Sequence, residues 1–155
     1  MARTKKWQVP KTQKLDPRYA SRWIQMIHQR IIRSGKKKLA YRIIQKSLEN
    51  IQTQTQQDPI SIIDKAIRNT TPSVEIQTRR IGGAVYPIPV EIHFDRGTAR
   101  AIEWILIGAK KRSGKVLHVN LANEFIDASK KIGHAFNKKE EVHKVADANA
   151  RVVKK

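Results

Sequence analysis

Residues 72–92 contain the feature that most restricts the fold of this chain. From Val74 to Ile92, apolar and polar residues alternate on both sides of Gly82-Gly83, a pattern typical of a β-hairpin. Pro87 and Pro89 have no N–H donor, so both must lie on an open edge. Such a hairpin does not belong to a large sheet. We therefore predict that it projects as an arm from a helical body.

The rest of the chain shows the apolar spacing of helices, three or four residues apart. Asp16-Pro17 and Asp58-Pro59 each combine a capping side chain with a proline suited to the first turn, so both predict helix starts. The first helix is expected to end near Ser34-Gly35, and Gln52–Gln57 is predicted to be a loop. The apolar stripes of the six predicted helices are Trp23, Ile24, Ile27, Ile31 and Ile32; Leu39, Ile43, Ile44, Leu48 and Ile51; Ile60, Ile63, Ala66 and Ile67; Ile102, Ile105, Leu106 and Ala109; Leu117, Leu121, Phe125 and Ala128; and, between Lys138 and Ala150, Val142, Val145, Ala146 and Asn149.

The predicted fold class is mainly α, a six-helix body with a protruding two-stranded β-hairpin arm at residues 72–93. No repeat or linker divides the 155 residues, so we predict a single domain. Residues 1–15 are basic and lack periodicity. They are expected to form an N-terminal arm that is disordered until it binds a partner.

Positive charge is concentrated in four segments of the chain. The formal net charge is +19, and most of it lies in residues 1–14, 30–38, 110–115 and 130–144. Because solvated surfaces normally mix both signs, such clusters indicate contacts with one polyanion, and nucleic acid is the first candidate. An anionic membrane surface is the alternative. It has little support, because no apolar run approaches the roughly 18 residues of a membrane span and we expect no secretory signal.

No catalytic or metal-binding pattern is present in the sequence. There is no cysteine, and the five histidines have no metal-ligand spacing. Capping and salt bridging explain Asp58/Asp64 and Glu140/Glu141 better than acid–base chemistry does. We therefore predict a protein that is not an enzyme and that has no metal, cofactor or small-molecule substrate.

Two aromatic residues have competing interpretations. Trp104 follows a helical apolar stripe, so packing in the core or against another subunit is favoured over stacking on a base. Tyr86 lies beside the glycine turn, where a hairpin offers little core. For Tyr86, base stacking and protein contact both stay open.

Two long motifs resemble small-subunit ribosomal protein seven in its bacterial and organellar form. The hairpin segment Arg79-Arg80-Ile81-Gly82-Gly83-Ala84-Val85-Tyr86-Pro87-Ile88-Pro89-Val90-Glu91 is similar to the family pattern R-R-x-G-G-x-x-Y-x-V-P-V-E. The C-terminal segment Lys138-Lys139-Glu140-Glu141-Val142-His143-Lys144-Val145-Ala146-Asp147-Ala148-Asn149 is close to K-K-R-E-x-x-H-x-M-A-E-A-N. Asp16-Pro17, Gly35-Lys36-Lys37 and Leu121-Ala122-Asn123-Glu124 also stand at comparable positions.

Two departures separate this chain from the family pattern. Glu140 stands where the family has Arg, so we expect one phosphate contact to be weaker. Residues 150–155 lack the usual aromatic ending, so stacking by this tail is not expected.

The resemblance implies a structural role in the small ribosomal subunit. It implies binding to the 3′ domain of small-subunit rRNA, nucleation of head assembly, and a hairpin near the exit-site tRNA and the mRNA path, beside small-subunit protein eleven. The hairpin tip, Gly82, Gly83 and Tyr86, would lie near the tRNA and mRNA or a partner protein. The predicted rRNA-binding residues are Arg3, Lys5, Lys6, Lys11, Lys36, Lys37, Lys38, Arg79, Arg80, Arg96, Lys110, Lys111, Arg112, Lys115, Lys138, Lys139, His143 and Lys144.

Two other functions fit parts of the sequence. A nucleoid or winged-helix DNA-binding protein also pairs helices with a basic β-arm, but it predicts a dimer with a self-complementary apolar face. An RNA-modification enzyme would need a catalytic constellation. For location, the plastid stroma is favoured and the bacterial cytoplasm is the alternative, because isoleucine and lysine are abundant.

Overall fold

The computed structural model describes residues 15–114 and 116–153, with side chains up to residue 150. The predicted basic arm therefore lies, apart from its last residue, outside the described residues. The described part contains six helices and one two-stranded antiparallel sheet, as predicted. The elements are α1 (Arg22–Ile31), α2 (Lys37–Thr55), α3 (Pro59–Thr70), β1 (Val74–Ile81), β2 (Ala84–Glu91), α4 (Phe94–Lys111), α5 (Leu117–Ser129) and α6 (His134–Val153).

The hairpin has the turn and the register that its sequence predicts. Ile81 pairs with Ala84 across Gly82-Gly83, and both glycines have positive φ, +58° and +88°. In an antiparallel sheet, hydrogen-bonded and non-hydrogen-bonded residue pairs alternate. Here the series starts with the hydrogen-bonded pair Ile81 and Ala84, which flanks the turn. Pro87 and Pro89 pair with Thr78 and Ile76, which are non-hydrogen-bonded positions. Their ring nitrogens therefore face the outer edge of β2, where no ladder bond is lost.

All six helices contribute to one apolar core. Phe125, Leu121 and Ile105 are among its most deeply buried side chains, and α5 packs against α2, α3 and α4. The half of the hairpin nearest its base packs on α6, whereas residues 78–86 are exposed. Among the described residues, only its own strand pairing therefore holds the outer half of the arm.

The first helix begins later than Asp16-Pro17 predicts. The Asp16 carboxylate accepts hydrogen bonds from the backbone N–H groups of Arg18 (3.2 Å) and Tyr19 (3.0 Å), so it stabilises a separate turn. Ala20 then has a φ of +47°, which interrupts helical geometry before α1 begins at Arg22. Asp58-Pro59, in contrast, starts α3 as predicted, with the Asp58 carboxylate accepting from the N–H of Ile60.

Three further expectations are corrected. Most of the Gln52–Gln57 stretch is not a loop, because α2 continues to Thr55 and ends where Gln56 adopts the left-handed conformation. Helix α6 begins at His134 rather than near Lys138. Leu39 and Val145 are exposed rather than core residues, because their helices bury an adjacent face.

Candidate nucleic-acid interface

Two of the predicted cation clusters meet at one end of the helical body. A groove of about 450 Å³ lies between the end of α1, the start of α2, the end of α4 and the start of α5. Arg30, Arg33 and Lys36 line it from one side and Lys110 from the other. Residues 30–38 and Lys110 are far apart in sequence, and the fold makes them one surface.

Backbone geometry explains why the lysine run at the start of α2 is presented to solvent. Ser34 and Gly35 both have positive φ, +53° and +72°, which turns the chain sharply after α1. The turn is closed by hydrogen bonds from the N–H of Lys36 to the carbonyl oxygen of Arg33 (3.1 Å) and from the N–H of Lys37 to that of Gly35 (2.9 Å). Lys36, Lys37 and Lys38 are all exposed as a result.

The cations at this end have no carboxylate partner among the described side chains. We call them the cationic end; its members are Arg30, Arg33, Lys36, Lys37, Lys38, Arg42, Lys110 and Lys111. All eight are exposed, and no ion pair within residues 15–114 and 116–150 involves any of them. Arg42 was not predicted from the sequence. It lies one helical turn after Lys38 and beside the lysine run, and that spacing was the available signal.

Arg112, also predicted to bind RNA, is instead balanced inside the protein. Its guanidinium donates to the Glu124 carboxylate at 2.8 Å and also pairs with Asp127. Burial disfavours its charge, but the hydrogen bonds to Asp127 and Glu124 outweigh burial and raise the pKa of Arg112 above its ordinary value. Glu124 is fully buried and also accepts from the N–H of Ala135 at 3.0 Å. It therefore joins the end of α4 to the start of α6.

Arg96 has a similar internal role at the base of the hairpin. Glu75 on β1 pairs with Arg96 (2.8 Å) and Arg100 (3.0 Å) of α4, and its side chain is only 16% exposed. The hydrogen bonds to Glu75, and then to Glu103, raise the pKa of Arg100. These contacts fix the arm to the helical body.

Three of the four predicted site residues of α6 contact other groups of the protein. Lys138 pairs with Glu141, and the Lys139 ammonium donates to the carbonyl oxygen of Asn69 at 2.8 Å. The His143 ring accepts from the N–H of Ser73 at 3.3 Å, which holds the start of the hairpin against α6. Lys144 is exposed, and among the described side chains it has no ion-pair partner.

The two arginines of the hairpin point in opposite directions. Arg79 is paired with Tyr86 and Arg80 with Val85, and successive residues of a strand alternate between its faces. Arg79 and Tyr86 therefore share one face, and Arg80 and Val85 share the other. All four are exposed, so both faces of the arm offer a cation beside an apolar group.

Trp104 packs partly buried against the core, which agrees with the packing interpretation. Arg3, Lys5, Lys6, Lys11 and Lys115 lie outside the described residues. In the described part of the chain, no helix is long and apolar enough to cross a membrane. Among those same residues, no group of three or more His, Cys, Asp or Glu side chains could hold a metal ion.

Comparison with known proteins identifies the family. The model of the family "Ribosomal protein S7p/S5e" matches residues 2–150. The chain belongs to the ribosomal protein S7p/S5e family. This family consists of structural proteins, so the prediction that the chain is not an enzyme is confirmed. Membership also favours the ribosomal interpretation over DNA-binding and RNA-modifying proteins.

Individual relatives of this S7-family chain match over most of their length. The small ribosomal subunit protein uS7c of Chlorella vulgaris is 46% identical over 139 residues, which cover 90% of this chain and 89% of that protein. The uS7c of Nephroselmis olivacea is 45% identical over 134 residues, 86% of each chain. The small ribosomal subunit protein uS7 of Synechococcus sp. (strain JA-3-3Ab) is 42% identical over 134 residues, again 86% of each chain.

Proposed function

We propose that this protein is a structural component of the small ribosomal subunit that binds ribosomal RNA through its cationic end. The observation behind this proposal is the set of eight exposed cations that form no ion pair within the described part of the chain, together with membership in the S7p/S5e family. Unpaired cations on a folded surface repel one another. Phosphates of a folded RNA would neutralise them and release condensed counterions, which is the main source of affinity in such complexes.

The finer assignments are supported by the family and by the hairpin motif. We assign binding to the 3′ domain of small-subunit rRNA and a role in nucleating the subunit head. The arm would reach the exit-site tRNA, the mRNA path and small-subunit protein eleven. Its cations on both faces suit a position between two partners. The predicted residues Arg3, Lys5, Lys6, Lys11, Lys115 and Lys144 belong to the same proposal.

The internal contacts divide the predicted residues into two groups. Lys36, Lys37, Lys38, Lys110, Lys111, Arg79 and Arg80 are proposed as direct RNA ligands. Arg96, Arg112, Lys139 and His143 hold protein groups, so we propose that they act chiefly by positioning the arm and α6. Lys138 pairs with Glu141 at the exposed surface. When RNA binds, the Lys138 ammonium would leave Glu141 and contact a phosphate.

A plastid location is proposed because several relatives carry the chloroplast name uS7c, at 45% to 46% identity. The relative from Synechococcus is of comparable similarity, so the bacterial cytoplasm is the alternative. Mass spectrometry of ribosomes from fractionated source cells would distinguish them. Recovery of the chain only from ribosomes outside plastids would refute the plastid assignment.

Charge reversal tests the RNA contacts. Lys36→Glu and Lys37→Glu should each weaken binding to a transcript of the small-subunit rRNA 3′ domain. Each should also flatten the salt dependence, because a phosphate contact contributes about 0.7 to 0.9 to the slope of log K against log salt. Lys65→Glu makes the same charge change on α3, away from the cationic end, and is the control. Equal salt slopes for the wild type and both variants would exclude these lysines as phosphate ligands.

A competition experiment tests the choice of nucleic acid. The wild-type chain should prefer the structured rRNA transcript over duplex DNA of equal length. Preference for the DNA would overturn the proposed function.

A further inference from the structure

The groove at the cationic end has an apolar floor as well as a charged rim. Its apolar lining is Ile31, Leu39, Ala40, Ile43, Leu106 and Leu117, and its other lining residues are the four cations Arg30, Arg33, Lys36 and Lys110. No acidic residue is among these lining residues. An occupant must therefore be apolar on one side and anionic on the other.

Leu39 is the exposed member of the floor, whereas Ala40 and Leu106 are buried in the core. Leu39 is 51% exposed and follows Lys38 in the first turn of α2. A leucine surrounded by lysines contributes little to the core in this position. It is a suitable contact for an apolar group that arrives from outside.

We propose that this groove receives one unpaired nucleotide of the small-subunit rRNA, an inference that rests on the proposed function. The base would lie on the apolar floor beside Leu39, and the adjacent phosphates would contact the cations of the rim. An RNA duplex presents its phosphates but keeps its bases stacked, so it would leave the floor empty. Unpaired bases in loops and bulges can turn outward, and the volume of about 450 Å³ is within the range of about 300 to 1,000 Å³ for small-ligand pockets.

The substitution Leu39→Gln removes one apolar side chain from the groove floor and leaves the charge unchanged. It therefore tests base binding separately from phosphate binding. Leu39→Gln should weaken binding of the full chain to the rRNA 3′-domain transcript by about 4- to 12-fold. This is roughly half, on a free-energy scale, of the effect of burying a whole leucine side chain, because Leu39 is already about half buried in the free protein. The slope of log K against log salt should not change, because no phosphate contact is lost. Chemical probing should show one unpaired base that the wild type protects and that Leu39→Gln leaves reactive.

Ile107→Gln is the matched control. Ile107 is 38% exposed on α4, next to Leu106 in sequence, but it does not line the groove. It should bind the transcript as the wild type does. Equal weakening by Ile107→Gln and Leu39→Gln would overturn the inference, since the effect would not be specific to the groove. Circular dichroism of both variants confirms that each is folded.

The remaining outcomes separate this inference from the proposed function. If Leu39→Gln binds RNA like the wild type while Lys36→Glu still lowers the salt slope, the groove holds no base and only the inference is overturned. If Leu39→Gln binds RNA normally but enters particles reconstituted with all small-subunit proteins poorly, the groove takes a protein partner and the inference is again overturned. If the wild type itself does not bind the transcript, both fail.

Discussion

Replacing Glu124 tests whether one buried carboxylate joins three helices. Glu124→Ala removes the acceptor for Arg112 (2.8 Å) and for the N–H of Ala135 (3.0 Å). Hydrogen bonds to a charged group contribute about 1.5 to 3 kcal/mol each, and breaking a buried ion pair costs about 3 to 5 kcal/mol. Arg112 keeps Asp127 and is 29% exposed, so the lower end applies. We expect the free energy of unfolding to fall by about 3 kcal/mol.

The assay is chemical and thermal unfolding followed by circular dichroism. For a chain of this length, about 3 kcal/mol corresponds to a fall in Tm of about 6 to 12 °C. Glu124→Gln keeps one acceptor oxygen for Ala135 but turns an amide NH₂ donor toward the Arg112 guanidinium, so the Arg112 hydrogen bond is lost together with the charge. Its cost should be about 2 kcal/mol, the contribution of one hydrogen bond to a charged group.

Glu103→Ala is the matched control for Glu124→Ala. Glu103 pairs with Arg100 at the surface, with 44% of its side chain exposed, and such pairs contribute less than about 1 kcal/mol. If Glu124→Ala and Glu103→Ala destabilise the protein equally, Glu124 does not join the helices in the way described.

Two further changes test how the arm is attached. Gly97→Ala places a Cβ atom 2.8 Å from the carbonyl oxygen of Pro72. The resulting overpacking should lower the free energy of unfolding by about 1 to 3 kcal/mol, measured by thermal unfolding. An unchanged Tm would contradict this close approach. Glu75→Ala removes the partner of Arg96 and Arg100. Amide hydrogen exchange should therefore become faster in both strands but not in α5. Equal exchange rates in the wild type and the variant would show that packing on α6 is sufficient to hold the arm.

The hairpin and the order of the helices were predictable because their determinants are local. Gly82-Gly83 permits the turn without steric cost, and the two prolines of β2 fix which edge is open. Apolar periodicity depends only on spacing within one helix. These features can be identified without knowledge of the rest of the chain.

The errors have causes that the residue pattern does not show. Helix α6 begins at His134 because Glu124 of α5, not a residue beside it, accepts from Ala135. Asp16-Pro17 has the pattern of a helix start, yet the positive φ of Ala20 limits it to a turn. No local pattern distinguishes these cases.

The same limit applies to the candidate site. Charge clusters indicated candidate segments for binding a polyanion, but not which cations are already paired. Arg112 and Lys110 lie in one basic run, yet Arg112 faces Glu124 and Asp127 while Lys110 faces the groove. Only the three-dimensional arrangement of carboxylates makes this distinction.

The prolines of β2 also affect the solubility of the protein before it meets its partners. A projecting hairpin with exposed Ile81 and Val85 would ordinarily be a template on which further strands add. Pro87 and Pro89 leave the outer edge of β2 without two of the N–H donors that an added strand needs. Cations on both faces of the arm repel a second copy. A newly made chain can thus keep its arm extended in solution without joining other copies edge to edge.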